Sequence, residues 1–398
     1  MRKLIFAAVL LLPSAAMAQA PFVGPRSAAM AGAATAVADD GSALWTNPAG
    51  LARDPRLDIE IFAGGVATNR RNFTAILDRL SSIDLSRLRS GLDVDRIPGA
   101  VRDLTTLSLP GTGVVGSGVA GAVFGRDGFA LGIGDAAYAA VFPTVDLVHV
   151  QPGNDPATGI TNNASALSFA GLEAREARFA YAKSFFAKTL LVGGTVRYIR
   201  GRTYFLRRAV FDEKETDPAA LARQALKENA RDTSRVAFDV GAMVNILGKV
   251  RVGLVSTAIN EPEFDVARDP TRPSLIGAPP TMRLPRTLRA GIAAQPIGPI
   301  TVAADYDLRE TDTLLPGGRS RQFSFGAEVR LPIFALRGGV FRDSAAPDAH
   351  WAYSGGIGLG LKSLSVNAAV VFSSQGGLSL SSTNRRDIGA GLDARVRF

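Results

Sequence analysis

Apolar and polar residues alternate with a period of two along most of the chain, beginning near Leu57. The pattern is clearest near the end, where Ile388, Leu392 and Val396 belong to an apolar series that alternates with glycine and charged residues. Successive side chains of a β-strand point to opposite faces, so this pattern predicts strands with one apolar and one polar face. A soluble β-sandwich alternates too, with its apolar face turned inward. The pattern alone therefore predicts an all-β fold and leaves the compartment open.

Short and long connections between the predicted strands follow one another in turn. Six short connections are each flanked by two alternating segments, which predicts six hairpins. They lie near 126–128, 186–188, 248–249, 296–299, 331–332 and 361–363. Longer polar stretches separate them, at about 68–115, 143–165, 202–232, 261–286, 309–320, 343–350 and 374–386. Tight turns on one side and long loops on the other are typical of outer-membrane barrels.

The strand count completes this prediction. With a first strand at Leu57–Ala67 and a last strand at Asp387–Phe398, the six hairpins give fourteen strands of about 9–13 residues. We therefore predict an all-β fold, a 14-stranded antiparallel transmembrane β-barrel over residues 57–398, with both termini on the periplasmic side.

The barrel interpretation turns the apolar faces toward lipid and the polar faces toward the lumen. Charges of both signs fall on the lumenal face, so we interpret most of them as a structural ion-pair network, with a substrate role as the alternative. The predicted network includes Arg178, Arg197, Asp239, Arg289, Asp305 and Arg395.

The predicted lumen needs something to occupy it. Eight strands make a barrel that is filled by its own side chains, and sixteen or more leave an aqueous channel, so a fourteen-stranded lumen would leak if left open. Residues 21–56 precede the first strand, are rich in alanine and glycine, and lack the period of two. We therefore predict that they form an N-terminal lumenal hatch.

Two external loops carry helix signals. In the first, Phe73, Ile76, Leu77 and Leu80 recur at helical spacing, and in the third, Asp217-Pro218 is a helix start. The apolar face in the first loop is predicted to capture an apolar ligand or a partner. The alternative is a lid that packs on the rim of the barrel.

The first twenty residues have the features of a secretion signal. Arg2-Lys3 is a basic start, Leu4–Leu12 is an apolar run too short to span a bilayer, and Ala16-Met17-Ala18 is a cleavage site. We predict a signal peptide at 1–20 and, with the barrel, location in the outer membrane of a Gram-negative bacterium.

Composition narrows the chemistry. The chain has no Cys and two His, and its 20% of charged residues is below the ~25% typical of soluble domains. The net charge is +9, but no basic run is interleaved with aromatic residues, so no nucleic-acid partner is predicted. An outer-membrane lipase would need a Ser–His pair on the lipid-facing wall, and both histidines lie in predicted loops. We predict no enzyme, no cofactor and no metal site.

Three linked blocks near the N-terminus carry a resemblance to known proteins. They are GPRSAAMAGA at 24–33, AVADD at 36–40 and ALWTNPAGLA at 43–52. They resemble the hatch of the FadL/TodX family of outer-membrane transporters for hydrophobic compounds. They are equally similar to the PorV-type proteins and to outer-membrane proteins labelled conjugal transfer protein TraF. The resemblance implies a fourteen-stranded barrel with a hatch.

The resemblance also assigns roles within the hatch. It implies that Asn47, Pro48 and Ala49 hold the hatch to the barrel wall. Independently, the side-chain amide of Asn47 can donate and accept hydrogen bonds, and Pro48 holds the residue before it extended. Asp39 and Asp40 are expected to pair with Arg26 or with lumenal arginines such as Arg395.

Family transporters release apolar substrate sideways through a gap at a kinked third strand. Here the third strand is predicted at Gly128–Phe142, and it contains Gly132, Gly134 and Asp135. Glycine within a strand marks a bulge or a bend, so these residues are the candidate kink. The longest insertion of this chain lies in the first loop, whereas the fatty-acid transporters build their external groove from the third and fourth loops. That departure leaves the substrate open.

Two functions remain from these residues. One is passive uptake of long-chain or hydrophobic compounds with hatch-gated lateral release. The other is a non-transporting scaffold that displays loops to a conjugation or secretion machine. The expected partners are outer-membrane lipid, hydrophobic or detergent-like small molecules, and the barrel-assembly machinery, which would recognise the terminal Phe398.

Overall fold

The structure is a computed structural model. It describes residues 22–84, 87, 90, 92, 94–150, 164–209, 224–227, 229–269, 271–346, 348–374 and 385–398. The predicted signal peptide and the predicted helix start at Asp217-Pro218 lie outside the described residues.

Fourteen antiparallel strands form a closed barrel, which confirms the predicted fold. Each strand pairs with its neighbours in the chain, and β1 pairs with β14 to close the sheet, with Asp58 opposite Arg397. The strands are β1 Asp58–Arg70, β2 Gly113–Arg126, β3 Phe129–Thr144, β4 Ala166–Phe185, β5 Leu190–Ala209, β6 Ala230–Ile246, β7 Val250–Thr257, β8 Thr287–Ile297, β9 Ile300–Asp307, β10 Gln322–Arg330, β11 Phe334–Asp343, β12 Trp351–Leu361, β13 Leu364–Ser374 and β14 Arg385–Arg397.

Several strands are longer than the sequence pattern predicts. β4 and β5 each have 20 residues, whereas about 10 are enough to cross a bilayer when tilted. Apart from Lys183 close to the periplasmic turn, their outward positions are apolar or glycine up to Ala177 and Tyr198, and they become charged at Arg175 and Arg200. The remaining length therefore projects beyond the apolar band on the external side.

The outer wall of the barrel is apolar and its inner wall is polar. Ile61, Ile133 and Leu392 point outward and are more than 60% exposed, while the inward Glu60 and Asp305 are each 2% exposed. This arrangement is the inverse of that in a soluble protein and is typical of a transmembrane barrel. Among the described residues, no helix combines the length and apolarity needed to cross a membrane.

Aromatic residues gather on the outer wall near the periplasmic turns. Phe129 packs on Tyr181, with ring centroids 4.6 Å apart, and on Phe179 at 6.4 Å. Phe62, in contrast, faces inward and is 2% exposed. Its position in the alternation of β1 places it on the lumenal face, where its ring centroid lies 4.9 Å from that of Trp45.

The N-terminal segment, residues 22–56, lies against the inward side of the wall. It contains two short helices, α1 at Gly24–Ala29 and α2 at Ala43–Thr46, and a 3-10 turn at Pro48–Ala52. Nearly all of its residues from Phe22 to Leu51 are buried. Most are small, so the segment packs closely on the wall without large side chains.

Helices and short hairpins form the external side. In the first loop, α3 spans Phe73–Ser81 and α4 spans Ile97–Leu107. The other ordered pieces are helical residues 224–227, the hairpins Glu263–Asp265 with Thr281–Arg283 and Thr311–Asp312 with Arg319–Ser320, and 3-10 turns at Val94–Arg96, Val148–Val150 and Pro273–Leu275.

We expect the terminal aromatic residue to matter for assembly. The backbone of Phe398 exchanges two hydrogen bonds with Leu57, at 3.0 and 3.1 Å, while its side chain is 67% exposed and so free to be recognised. Deleting Phe398 should lower the yield of heat-modifiable, folded barrel, as measured by gel mobility of unheated membranes. Phe398→Tyr, which keeps the ring and the backbone pair, is the control. Parental yield after the deletion would contradict a role for this residue in assembly.

Candidate functional site

The N-terminal segment makes a circuit around the inside of the barrel. The helix α1 contacts β12, β13, β14 and β1, and Met30 reaches β10 and β11. Thr35 lies against β7 and β8, and the turn Pro48–Ala52 contacts β4, β5 and β6. Trp45 completes the circuit against β2 and β3. One short stretch of chain therefore touches the wall on all sides.

Glycine residues on the wall make this close approach possible. On eight strands, a Cβ added at an inward glycine would come within 3.0 Å of the segment, a distance that real Cβ contacts do not show. These glycines are Gly132, Gly193, Gly241, Gly253, Gly291, Gly326, Gly339 and Gly356. We call them the glycine ring. The ring explains part of the chain's glycine content, which composition alone left unexplained.

Arg26 ties the segment to the wall through charge. Its guanidinium makes two hydrogen bonds with Glu328 of β10, both 3.2 Å, and it lies 2.6 Å from Asp39 and 3.3 Å from Asp40. Arg395 of β14 lies 2.7 Å from Asp40. The structure thus brings together all four charged residues that the sequence singled out here.

This network holds its carboxylates ionised. Burial alone would raise the pKa of the Asp40 carboxyl, but the charges of Arg395 and Arg26 lower it to about 2. Burial likewise opposes ionisation of Asp39, yet Arg26 and Arg53 keep its pKa well below the usual range. Both aspartates are therefore charged at neutral pH and attract the arginines around them.

Asn47 joins three separate parts of the structure and is fully buried. Its amide nitrogen donates to the carbonyl oxygen of Thr35 at 2.9 Å and to that of Ala242 in β6 at 3.4 Å. Its amide oxygen accepts from the backbone N–H of Ala49 at 3.2 Å. An alanine at this position would leave these groups unpaired, and each buried group left unpaired costs about 1–3 kcal/mol.

Further along the segment, wall side chains bond to its backbone. Asp305 of β9 accepts hydrogen bonds from the N–H groups of Ala34 and Thr35, at 3.0 and 2.9 Å, and from the Thr35 hydroxyl at 2.6 Å. Arg251 of β7 donates to the carbonyl oxygen of Ala36 at 2.9 Å. Asp305, predicted as a member of an ion-pair network, therefore acts chiefly as an acceptor for the segment.

The remaining predicted lumenal charges form two groups. Glu176 lies 2.6 Å from both Arg178 and Arg197, and Asp239 lies 3.3 Å from Arg197. In the second group, Arg289 pairs with Asp307 at 2.7 Å. The side chains of the first group are buried and those of the second are partly buried, and in each group opposite charges satisfy one another inside the lumen.

Trp45 packs against a part of the wall that is formed by glycines. Its ring packs against Gly121 of β2 and against Gly132 and Gly134 of β3, which present no side chain to it. The guanidinium of Arg178 lies 4.8 Å from the ring centroid on the lumenal side. Trp45 was not among the residues predicted from sequence. Its position beside the recognised Asn-Pro element is the only signal that could have pointed to it.

The expected opening at the third strand is absent from this structure. β3 pairs with β2 and β4 without a register shift through Gly132, Gly134 and Asp135. The two glycines make room for Trp45 and leave the ladder of backbone hydrogen bonds intact. Asp135 points outward, where its carboxylate lies 3.5 Å from Arg175 of β4.

The apolar face in the first loop is buried, whereas its predicted role in ligand capture requires an exposed or pocket-lining face. Phe73, Ile76 and Leu80 are at most 5% exposed, and Leu77 is partly buried. They pack with α4 and with outward side chains of the external strand extensions, such as Phe169 and Leu206. The projecting ends of β3–β5 provide an apolar surface outside the membrane, and the helices cover it. The face is therefore a packed lid, which was the alternative interpretation.

One histidine has partners that the sequence did not reveal. His350 Nε2 lies 2.6 Å from Asp387 and 3.1 Å from the Ser373 hydroxyl. Both partners contact the same ring nitrogen, and both face the lumen, so the arrangement differs from a hydrolase triad, in which each nitrogen has its own partner. Within the described part of the chain, no three His, Asp or Glu side chains are grouped to hold a metal ion.

Two spaces lie on either side of Trp45. A chamber of about 120 Å³ lies inside, bounded by Thr35, Trp45 and Thr46 of the segment, by the wall, and by loop residues such as Leu284. An open recess of about 1040 Å³ lies on the outer wall over β1–β5, β13 and β14. Gly121 and Gly134 line this recess from the outside. Trp45 and a wall that carries glycine at Gly121 and Gly134 therefore separate the chamber from the outer recess.

Comparisons with known proteins agree on the fold. The family model described as "F plasmid transfer operon, TraF, protein" matches residues 44–307. No curated protein sequence matches. The CymD monoaromatic hydrocarbon channel is similar at a TM-score of 0.53 and 14% identity, over 94% of this chain and 97% of that one. The Ralstonia pickettii toluene transporter TbuX is similar at a TM-score of 0.52 and 14% identity, over 94% and 98%. The family model confirms the resemblance to the TraF-labelled branch, and the solved structures confirm the barrel fold that the resemblance to the FadL/TodX family implied.

Proposed function

We propose that this chain, which belongs to the family of the F plasmid transfer operon protein TraF, is an outer-membrane barrel for passive uptake of hydrophobic compounds. In this proposal the N-terminal segment is a hatch that closes the lumen. Its displacement lets a compound leave sideways into the membrane. The outer membrane is the compartment that suits a barrel with an apolar outer wall and a polar lumen.

The observation that carries the proposal is the position of Trp45. It separates the chamber from the outer recess, and the wall at that point consists of backbone and glycine. Gly121 and Gly134 are opposite one another in the register of β2 and β3, so this pair makes no cross-strand side-chain contact. Separation of the strands costs least where such contacts are missing. A lateral exit is therefore proposed between β2 and β3.

The outer recess suits an apolar compound that is entering the membrane. Its lining includes Ile61, Ala122, Ile133 and Leu392, which all face outward. The similar structures carry the names of a monoaromatic hydrocarbon channel and a toluene transporter. We extend to this chain only the general class of cargo, a compound more soluble in lipid than in water, for which no energy source is needed.

A reversible disulfide staple across the proposed exit, between β2 and β3, tests the proposed uptake. The chain has no Cys, so a pair of introduced cysteines is the only pair that can form. Ala122 and Ile133 are opposite one another on β2 and β3 and both point outward, away from Trp45. In Ala122→Cys/Ile133→Cys, oxidation should lower uptake of radiolabelled toluene and oleate to the level of cells without the protein. Reduction should restore it.

The control is the same pair of residue types on another part of the wall. Ile357 and Ala368 are opposite one another on β12 and β13 and also point outward. Ile357→Cys/Ala368→Cys should transport equally when oxidised and reduced. Unchanged uptake in the oxidised β2–β3 pair, with the disulfide verified by mass spectrometry, would contradict lateral exit at this place. Lack of any protein-dependent uptake would contradict transport itself.

A further inference from the structure

The chamber above the hatch has two chemically different halves. One half is apolar and comes from Trp45 and the aliphatic residues Val23, Val119, Ala136, Val255 and Leu284. The other half is polar and includes Tyr138, Arg178, Arg197, Asp239, Arg289 and Asp307. A pure hydrocarbon would satisfy only the first half, and a small ion only the second.

The size of the chamber limits what it can hold. An apolar cavity of about 150 Å³ in an engineered protein is large enough for benzene. The chamber measures about 120 Å³ and is partly open, so it holds at most one ring, whose substituents must extend toward the opening. Longer compounds would have to displace the hatch or the external loops.

Two polar groups in the chamber lack close hydrogen-bond partners in the described part of the protein. Tyr138 is 6% exposed, and its hydroxyl makes no hydrogen bond to any part of the chain that the structure describes. On Arg178, Nη1 has only long contacts, 3.4 Å to the carbonyl oxygen of Leu44 and 3.8 Å to Asp239. Buried polar groups are costly without a partner, so an oxygen atom from a bound molecule would stabilise both.

The charges around the chamber exclude a strongly charged ligand. Arg178, Arg197 and Arg289 are balanced by Glu176, Asp239 and Asp307 at ion-pair distance. A carboxylate would gain from the arginines but be repelled by the aspartates that line the same space. A neutral hydroxyl can accept from Arg178 or Tyr138 and can donate to Asp239 or Asp307.

We propose that the chamber binds a neutral, hydroxyl-bearing one-ring compound, such as a phenol, in preference to the corresponding hydrocarbon. The ring lies against Trp45 and the aliphatic half, and the hydroxyl meets Tyr138 and Arg178. This inference rests on the proposed function, because it names the class of compound that the hatch admits.

Binding of three one-ring compounds tests the proposed preference for a hydroxyl group. Toluene, p-cresol and benzoate each have one benzene ring; p-cresol adds a hydroxyl to toluene, and benzoate carries a carboxylate in place of the methyl group. The protein is placed in nanodiscs, with empty nanodiscs as the reference for partition into lipid. Trp351→Phe leaves Trp45 as the only tryptophan, so its emission reports occupancy of the chamber. We expect p-cresol to bind more tightly than toluene or benzoate.

Variants locate the binding. Tyr138→Phe removes only the hydroxyl and should weaken p-cresol binding about threefold to tenfold, the effect of one hydrogen bond, while binding of toluene stays the same. Tyr198→Phe, on the outer wall, is the matched control and should have no effect. Ala136→Leu should fill the chamber and abolish binding, and it keeps the test decisive if Tyr138→Phe fails to fold.

Equal binding of p-cresol and toluene, or p-cresol binding that is insensitive to both chamber variants, would overturn the inference. The same holds if the chamber binds none of the three compounds and contains water alone. These results leave the staple experiment untouched, because uptake through β2 and β3 is measured separately with toluene and oleate. Failure of the staple with p-cresol bound as expected would instead contradict the proposed function.

Discussion

Replacing Gly193 with valine is expected to displace the hatch and turn the closed barrel into a leaking pore. A Cβ at this position would lie 2.6 Å from the backbone carbon of Pro48 and 2.7 Å from the backbone nitrogen of Ala49, and neither backbone atom can rotate away. Valine is favourable in β-strands, so the wall itself should still form. Single-channel conductance and sensitivity of cells to a bulky antibiotic should both rise.

The neighbouring residue provides the control. Gly194 points outward, and a Cβ there would have its nearest neighbour, the carbonyl oxygen of Asp239, at 3.6 Å. Gly194→Val therefore makes the same change in the same strand without touching the hatch. The conductance and antibiotic sensitivity of this variant should equal those of the parent. A tight Gly193→Val barrel with normal heat-modifiability would show that the hatch does not depend on this contact.

Loss of the Arg26 charge is expected to loosen the hatch by a different route. Arg26→Gln leaves Glu328, Asp39 and Asp40 with one fewer cation, and breaking a buried ion pair costs about 3–5 kcal/mol. The barrel ladder does not involve Arg26 and should persist. The emission of Trp45, again with Trp351→Phe, should shift toward that of an exposed tryptophan while gel mobility stays that of a folded barrel.

Acid should reveal the same network in the parent. Asp39 and Asp40 have lowered pKa values, so their contribution to holding the hatch is fully present above the ordinary value of about 4 and is lost as the pH falls toward about 2. The change in Trp45 emission should therefore occur between about pH 4 and pH 2. In Arg26→Gln it should move to higher pH.

An exposed arginine serves as the control for both measurements. Arg56 pairs with Asp54 near the start of β1, and its side chain is 57% exposed. Arg56→Gln should give the acid profile of the parent. An Arg26→Gln profile that matches the parent would show that the charges around Arg26 do not hold the hatch.

The barrel could be predicted from the sequence because its physical cause is local. Alternation of side chains along one strand depends only on that strand, and the contrast between short turns and long loops is visible in the chain itself. The charges at Arg178, Arg197 and Asp239 could be predicted to face the lumen for the same reason. Glu176, the partner that the two arginines share, is two residues from Arg178 in β4 and so lies on the same lumenal face.

What could not be predicted depends on contacts between distant segments. Glycine at 132 or 193 looks the same in sequence whether it bends a strand or makes room for another segment. Only the positions of Trp45 and Pro48 in the structure show that these glycines make room. The period of α3 shows that Phe73, Ile76 and Leu80 share a face, but it cannot show what covers that face. The external extensions of β4 and β5 cover this face, and the alternating pattern does not reveal that these strands are so long.

The glycine ring also bears on how the barrel reaches its final circumference. The hatch precedes every strand in the chain, and it touches strands on both sides of the closure between β1 and β14, with Gly41 close to Glu60 and Pro25 close to Gly391. A sheet with fewer strands would leave no room for this inner circuit, and one with more strands would lose the contacts at the ring. The segment thus constrains the number of strands, in addition to the closing role proposed for it above. We expect the first and last strands to join once the sheet has curved to fit this segment, which precedes every strand in the chain.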